Sequence, residues 1–131
     1  MGERYLDYAT PLVVGGFESL LKIGRNFAKA QFSQRVPPLA ADVGTQLSVA
    51  ECKAVYDDRS ALVHGAGIDL TQPHERNEFG RRFNVLQETL RRVVRRAIED
   101  PSFAAIFADN ARITSRWSTV VTGRGGVQRV I

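Results

Sequence analysis

The chain has 131 residues, 44% of them hydrophobic and 24% charged, the balance of one ordinary soluble domain and of neither a disordered segment nor a membrane protein. No apolar run approaches the roughly 20 residues of a transmembrane helix, and Met1-Gly2-Glu3-Arg4-Tyr5-Leu6-Asp7 lacks the basic-then-apolar pattern of a signal peptide, so a cytoplasmic protein is the expectation. The net charge of +4 is uneven: residues 76–131 carry eleven arginines against five acidic residues, whereas residues 51–75 carry two basic groups against five acidic ones, so the C-terminal half offers a polyanion the more attractive face.

Thr10-Pro11 has the form of a helix start, a capping hydroxyl followed by a proline that loses nothing at the first helical position. Phe17, Leu20, Leu21, Gly24, Phe27 and Ala28 then recur at three- and four-residue spacing, predicting one helix that runs to about Gln31, with Gly15-Gly16 weakening its first turns. Pro37-Pro38 ends that element, and Leu39 to Val43 reads as a short helical turn before Gly44. Ser48 with Glu51 three residues on forms a capping box, so a second clear helix is predicted from about Val49 toward His64. Cys52, the single cysteine, excludes an intramolecular disulfide, and with two histidines leaves too few soft ligands for a structural zinc site; it reads as a small buried hydrophobe.

Gly65 to Glu78 carries turn chemistry in Gly65, Gly67, Pro73 and Asn77 and reads as a loop, with His74 exposed in it. Phe79, Phe83, Leu86, Leu90, Val93, Val94, Ala97 and Ile98 form the longest helical stripe, supported by the pairs Glu78–Arg82 and Glu88–Arg92. Asp100-Pro101 punctuates it, a short helix is predicted over Ser102 to Asp109, and Ala111 to Val121 is expected to return Ile113 and Trp117 to the core. Residues 122–131, rich in glycine and arginine, read as a flexible tail. The fold class that results is all-α, an antiparallel bundle of about four to five helices, with residues 1–121 as a single domain.

Chemistry is concentrated in Tyr56-Asp57-Asp58-Arg59-Ser60-Ala61-Leu62-Val63-His64-Gly65. A permanently charged guanidinium lies near an imidazole that titrates around neutral pH, a pairing suited to phosphodiester cleavage without a metal. Five positions rotate a side chain by about 500°, which leaves Arg59 and His64 roughly 140° apart around a regular helix. Either the helix ends at Gly65 and His64 swings round, or a second copy of the chain supplies part of the site. Arg59 shares a helical face with Val55, Tyr56, Leu62 and Val63, and Asp57 and Asp58 are too near in sequence to pair with it on the same helix. Those adjacent carboxylates point in different directions, which argues against a two-metal nuclease, and no glycine-rich phosphate loop is present. Tyr56 on an apolar stripe reads as core, Glu18 either supports the site from the neighbouring helix or, as a lone glutamate usually does, lies at the surface, and the hydroxyl of Ser60 is equally suited to its own backbone and to a phosphate oxygen.

The same ten residues resemble the Tyr-Asp-x-Arg-Ser-x-x-Val-His-Gly signature of HEPN domains, the Apea-like branch in particular. Phe17-Glu18-Ser19-Leu20-Leu21 is similar to an early helix of that branch, and the likeness spans roughly Pro11 to Ile98. Many members place Asn, Asp or His directly after the arginine, where this chain has Ser60. The resemblance implies a helical-bundle endoribonuclease that needs no metal or other cofactor and acts as a homodimer on RNA, in phage defence or as a toxin beside an antitoxin or within a larger defence assembly. Carried over, Arg59 binds the scissile phosphate, His64 moves protons, and Ser60 and Tyr56 are candidate substrate contacts. Since some members keep the fold without the chemistry, a non-catalytic interaction or dimerisation module is the alternative.

Overall fold

The structure is a computed structural model, and it describes residues 3–63, 73–117, 119–121 and 127–129. Among these, six helices follow in order, α1 (Glu3–Leu20), α2 (Ala28–Asp42), α3 (Val49–Val63), α4 (Pro73–Glu99), α5 (Pro101–Ile106) and α6 (Asn110–Trp117). A short antiparallel ribbon of β1 (Thr119–Val121) and β2 (Val127–Arg129) completes them, with Val120 opposite Gln128. The class is all-α, a helical bundle, as the periodicities predict. No described helix is long and apolar enough to cross a membrane.

The first helix differs from expectation at both ends. It begins at Glu3, so Pro11 lies inside it and Thr10 caps nothing; the Thr10 hydroxyl is buried with no partner among the described residues. Burial of Val13, Val14, Phe17 and Leu21 outweighs the one backbone bond that Pro11 removes. Gly16 is where α1 meets α4: a Cβ there would stand 3.1 Å from a Leu90 methyl, so the close approach needs the missing side chain. The helix stops at Leu20 rather than Gln31. Lys22 donates to the Ser19 carbonyl and Ile23 to that of Glu18, a Schellman closure with Lys22 in the left-handed region at φ 53°. The apolar spacing of Gly24 and Phe27 therefore runs across a turn, and both are exposed.

In α2 the two prolines that should have ended a helix sit within one. Phe32, Ser33, Arg35 and Val36 before them and Leu39 and Ala40 after them are all buried, and packing on both sides overrides the local penalty. Arg35 is among the core residues; its Nη1 donates to the Leu21 carbonyl at 2.7 Å and Nη2 reaches Thr114 Oγ1 at 3.5 Å, tying α1, α2 and α6 together. A second Schellman closure ends α2, where Gly44 takes φ 82° and Thr45 donates to the Ala40 carbonyl.

The α3 helix begins as predicted. Glu51 N–H donates to Ser48 Oγ and Ser48 N–H to Glu51 Oε1, each at 3.0 Å, a reciprocal capping box. Cys52 is fully buried in its first turns, and burial pushes its thiol up to about 12. The α4 helix starts at Pro73, so the end of the expected loop, His74 included, is helical; His74 is exposed, as expected. Phe79, Phe83, Leu86 and Val93 line the core, whereas Val94 and Ile98, counted in the same stripe, are exposed. Asp100 caps α5, accepting from the backbone N–H of Ser102 and Phe103. Ile113 and Trp117 return to the core on α6, but β1 takes over at Thr119, where a helix to Val121 was expected, and Val127–Arg129 of the expected flexible tail form the partner strand. β-branched Thr119, Val120 and Val121 favour that extended conformation.

Candidate functional site

Three helices meet around the motif. α2 and α3 run antiparallel, joined by residues 43–48 at one end and clasped at the other by Lys29 Nζ on Asp57 Oδ1 at 2.7 Å. Close to that clasp, the ring of Tyr56 packs on Phe32 with centroids 5.5 Å apart, and α1 brings Glu18 across from the other side. Glu18 accepts from the Tyr56 hydroxyl at 3.0 Å through one carboxylate oxygen and from Arg59 Nη2 at 3.4 Å through the other. The Arg59 guanidinium carbon lies 5.6 Å from the centroid of the Tyr56 ring, so a carboxylate and an aromatic face hold the cation from two directions.

Arg59 is held without being sealed in. Its side chain is 29% exposed and that of Glu18 19%, while its Nε is buried with no partner among the described residues. At 3.4 Å through a single nitrogen the Glu18 contact is a long ion pair, well short of the bidentate fork a guanidinium can form. Among the described residues the guanidinium therefore keeps donor capacity toward an incoming anion. Tyr56 holds its proton above the usual phenol range, because burial and then the Glu18 carboxylate both oppose a phenolate.

The adjacent carboxylates diverge, as helix geometry requires: Asp57 faces Lys29 on α2 and Asp58 binds Arg82 Nη2 on α4 at 3.0 Å. Among the described residues no cluster of histidine, cysteine or carboxylate side chains could hold a metal ion. The partner of Arg59 thus comes from another helix, and it is Glu18, which the sequence left between a support of the site and ordinary surface. The structure brings Tyr56 and Arg59 into one cluster and places Ser60, half-buried, beyond them on the same helix; among the described residues its hydroxyl has no partner, backbone carbonyls of α3 included. His64 follows the last described residue of α3 and, like Gly65, lies outside the described residues. One sequence signal pointed to Glu18: it falls beside buried Phe17, Val14 and Leu21 on the edge of the α1 apolar stripe, where a carboxylate is costly without a partner.

The arginine-rich C-terminal half is partly committed to the fold. Arg92 Nη1 donates to the carbonyls of Val43 and Gly44, and Arg96 Nη1 to that of Asp42, so two α4 arginines cap the end of α2. Arg91 and Arg92 also bind Glu88, and Arg96 stacks over the Phe103 ring at 4.4 Å. These contacts commit three of the eleven arginines of residues 76–131 to the fold.

No protein-family model, curated protein or solved structure matches the chain.

Proposed function

We propose that the protein is a metal-independent endoribonuclease in which Arg59 and His64 act on one phosphodiester. The observation that carries this reading is the state of Arg59: a part-exposed guanidinium oriented by Glu18 and Tyr56 near the C-terminal end of α3, five positions before the histidine of the signature. A guanidinium held this way stabilises the negative charge that gathers on the non-bridging phosphate oxygens as the transition state forms. His64 takes the proton of the ribose 2′-hydroxyl, or gives one to the departing 5′-oxygen. The 2′-oxygen bonds to phosphorus as the bond to the 5′-oxygen breaks, leaving a 2′,3′-cyclic phosphate and a 5′-hydroxyl. DNA lacks the nucleophile and is not cut.

The five-position spacing of Arg59 and His64, about 140° of rotation on a regular helix, favours a homodimer in which each chain completes the other's cleft, and a two-fold contact is the usual route to such a composite site. A role in phage defence or as a toxin, with an antitoxin or a larger assembly as partner, follows from the resemblance. The second reading is a non-catalytic interaction module, and the Glu18–Arg59 ion pair favours it to this extent, that an arginine with an internal carboxylate partner also serves as a fold contact. The two separate on incubation of the purified protein with single-stranded RNA in chelator. Cyclic phosphate ends that disappear in His64→Ala and Arg59→Ala, with the helical circular dichroism unchanged, support the nuclease; intact RNA supports the module.

A further inference from the structure

The linker between α1 and α2 contains a feature that the fold does not need. Phe27 takes φ 59° and ψ 30° at the N-cap of α2, makes no side-chain cap there, and is 81% exposed. A side chain with a Cβ is disfavoured in the left-handed region, where glycine or asparagine sits more easily. For Phe27 burial offsets none of that cost, and the apolar ring is left in solvent. Stability alone would select another residue here.

The surroundings of Phe27 say what would. The linker is anchored on both sides to the elements that carry the candidate site. At its start, the backbone carbonyl of Glu18 accepts from Ile23, and the carboxylate of the same residue holds Arg59 and Tyr56. At its end, Lys29 binds Asp57 and Phe32 packs on Tyr56. Between these anchors Lys22 and Arg25 are exposed, with no ion pair among the described residues. An exposed aromatic ring preceded in its linker by two exposed cations, with the linker tied at both ends to the helices that hold the Arg59 guanidinium, is a combination that binds single-stranded nucleic acid: bases stack on the ring while cations track the backbone.

We infer that Phe27 is a stacking platform for an unpaired base of the RNA strand whose phosphate lies at Arg59, with Lys22 and Arg25 contacting phosphates on either side of it. The ligand class is single-stranded RNA, because a base held in a duplex cannot offer its face to the ring. This inference rests on the proposed nuclease reading for its choice of ligand, but binding and cleavage are separable.

The test is fluorescence anisotropy with a short, labelled, single-stranded 2′-O-methyl oligonucleotide, which has no free 2′-hydroxyl and cannot be cut. Phe27→Asn and Phe27→Gly should each weaken binding by about tenfold while melting at the wild-type temperature or above, and Phe27→Trp should bind at least as tightly as wild type. A blunt duplex of the same sequence should show no dependence on Phe27. Equal affinity of wild type and Phe27→Gly overturns the inference, as does a wild-type protein that does not bind the single strand. Cleavage of the corresponding 2′-hydroxyl RNA is followed in parallel. Binding that depends on Phe27 without cleavage retains the platform and removes the nuclease; cleavage with binding indifferent to Phe27 does the reverse.

Discussion

Glu18 on α1 and Arg59 on α3 are 41 positions apart in the chain and 3.4 Å apart in space, and the carboxylate that holds the guanidinium also holds the hydroxyl of Tyr56. Such an arrangement orients a cation without consuming it. In the proposed nuclease Glu18 is a positioning residue, and its replacement should separate orientation from charge. Glu18→Ala is expected to lower kcat for RNA cleavage by roughly ten- to a hundredfold, the scale set by misplacing a reacting group by about an ångström. Glu18→Gln, which keeps an acceptor for Arg59 or Tyr56, should retain most of the activity. Steady-state kinetics on both variants check this, and equal losses would mean that the negative charge, and not the geometry, is what matters.

Cys52 gives a pH prediction with a definite sign. Burial raises its thiol from the ordinary 9.0 to about 12, so between those values the folded chain keeps a proton that the unfolded chain releases. Its contribution to stability is complete below pH 9 and is lost as the pH rises toward 12, at up to about 1.4 kcal/mol per pH unit. Tyr56 acts in the same direction, but only above its own ordinary value of 10.0. Urea midpoints at about pH 8 and about pH 10 should therefore converge more closely in Cys52→Ala than in wild type, by the equivalent of about 1 kcal/mol. An unaltered pH dependence in the variant would show that the thiol is not held protonated.

Asp42 at the end of α2 accepts from Trp117 Nε1 at 2.7 Å and from Arg116 Nε at 3.1 Å, both through Oδ2, and so fastens α6 to the bundle. Asp42→Ala leaves a buried indole N–H without a partner and should destabilise the protein by roughly 2 kcal/mol. Asp42→Asn can still accept from the indole and should cost about half of that. Trp117 is the only tryptophan, so its emission during urea unfolding reports the site directly. Equal losses for the two substitutions would place the weight on the Arg116 ion pair instead.

What was legible in the sequence was local. The capping box of Ser48 and Glu51 spans three residues, and its hydrogen bonds follow from that spacing wherever the helix sits. The Phe79 to Ile98 periodicity likewise declared a helix, and one α4 face does line the core, though Val94 and Ile98 at its edge do not. The linker was missed for the opposite reason: the apolar spacing through Gly24 and Phe27 looked helical, but the chain turns at Lys22, and periodicity carries no information about a residue in the left-handed region.

By itself, then, the order of amino acids determined the class of the fold and set a guanidinium and an imidazole five positions apart at Arg59 and His64, because helical spacing and residue type are properties of short segments. Only the tertiary structure decided that Pro37 and Pro38 belong inside a helix, that Arg35 lies buried on the Leu21 carbonyl, and that Glu18 is the partner of Arg59. Each of these depends on surfaces far apart in sequence: the burial that overrides a proline, the carbonyl that makes a buried arginine tolerable, and the carboxylate that orients a cation all come from another helix, and none exists until the bundle closes.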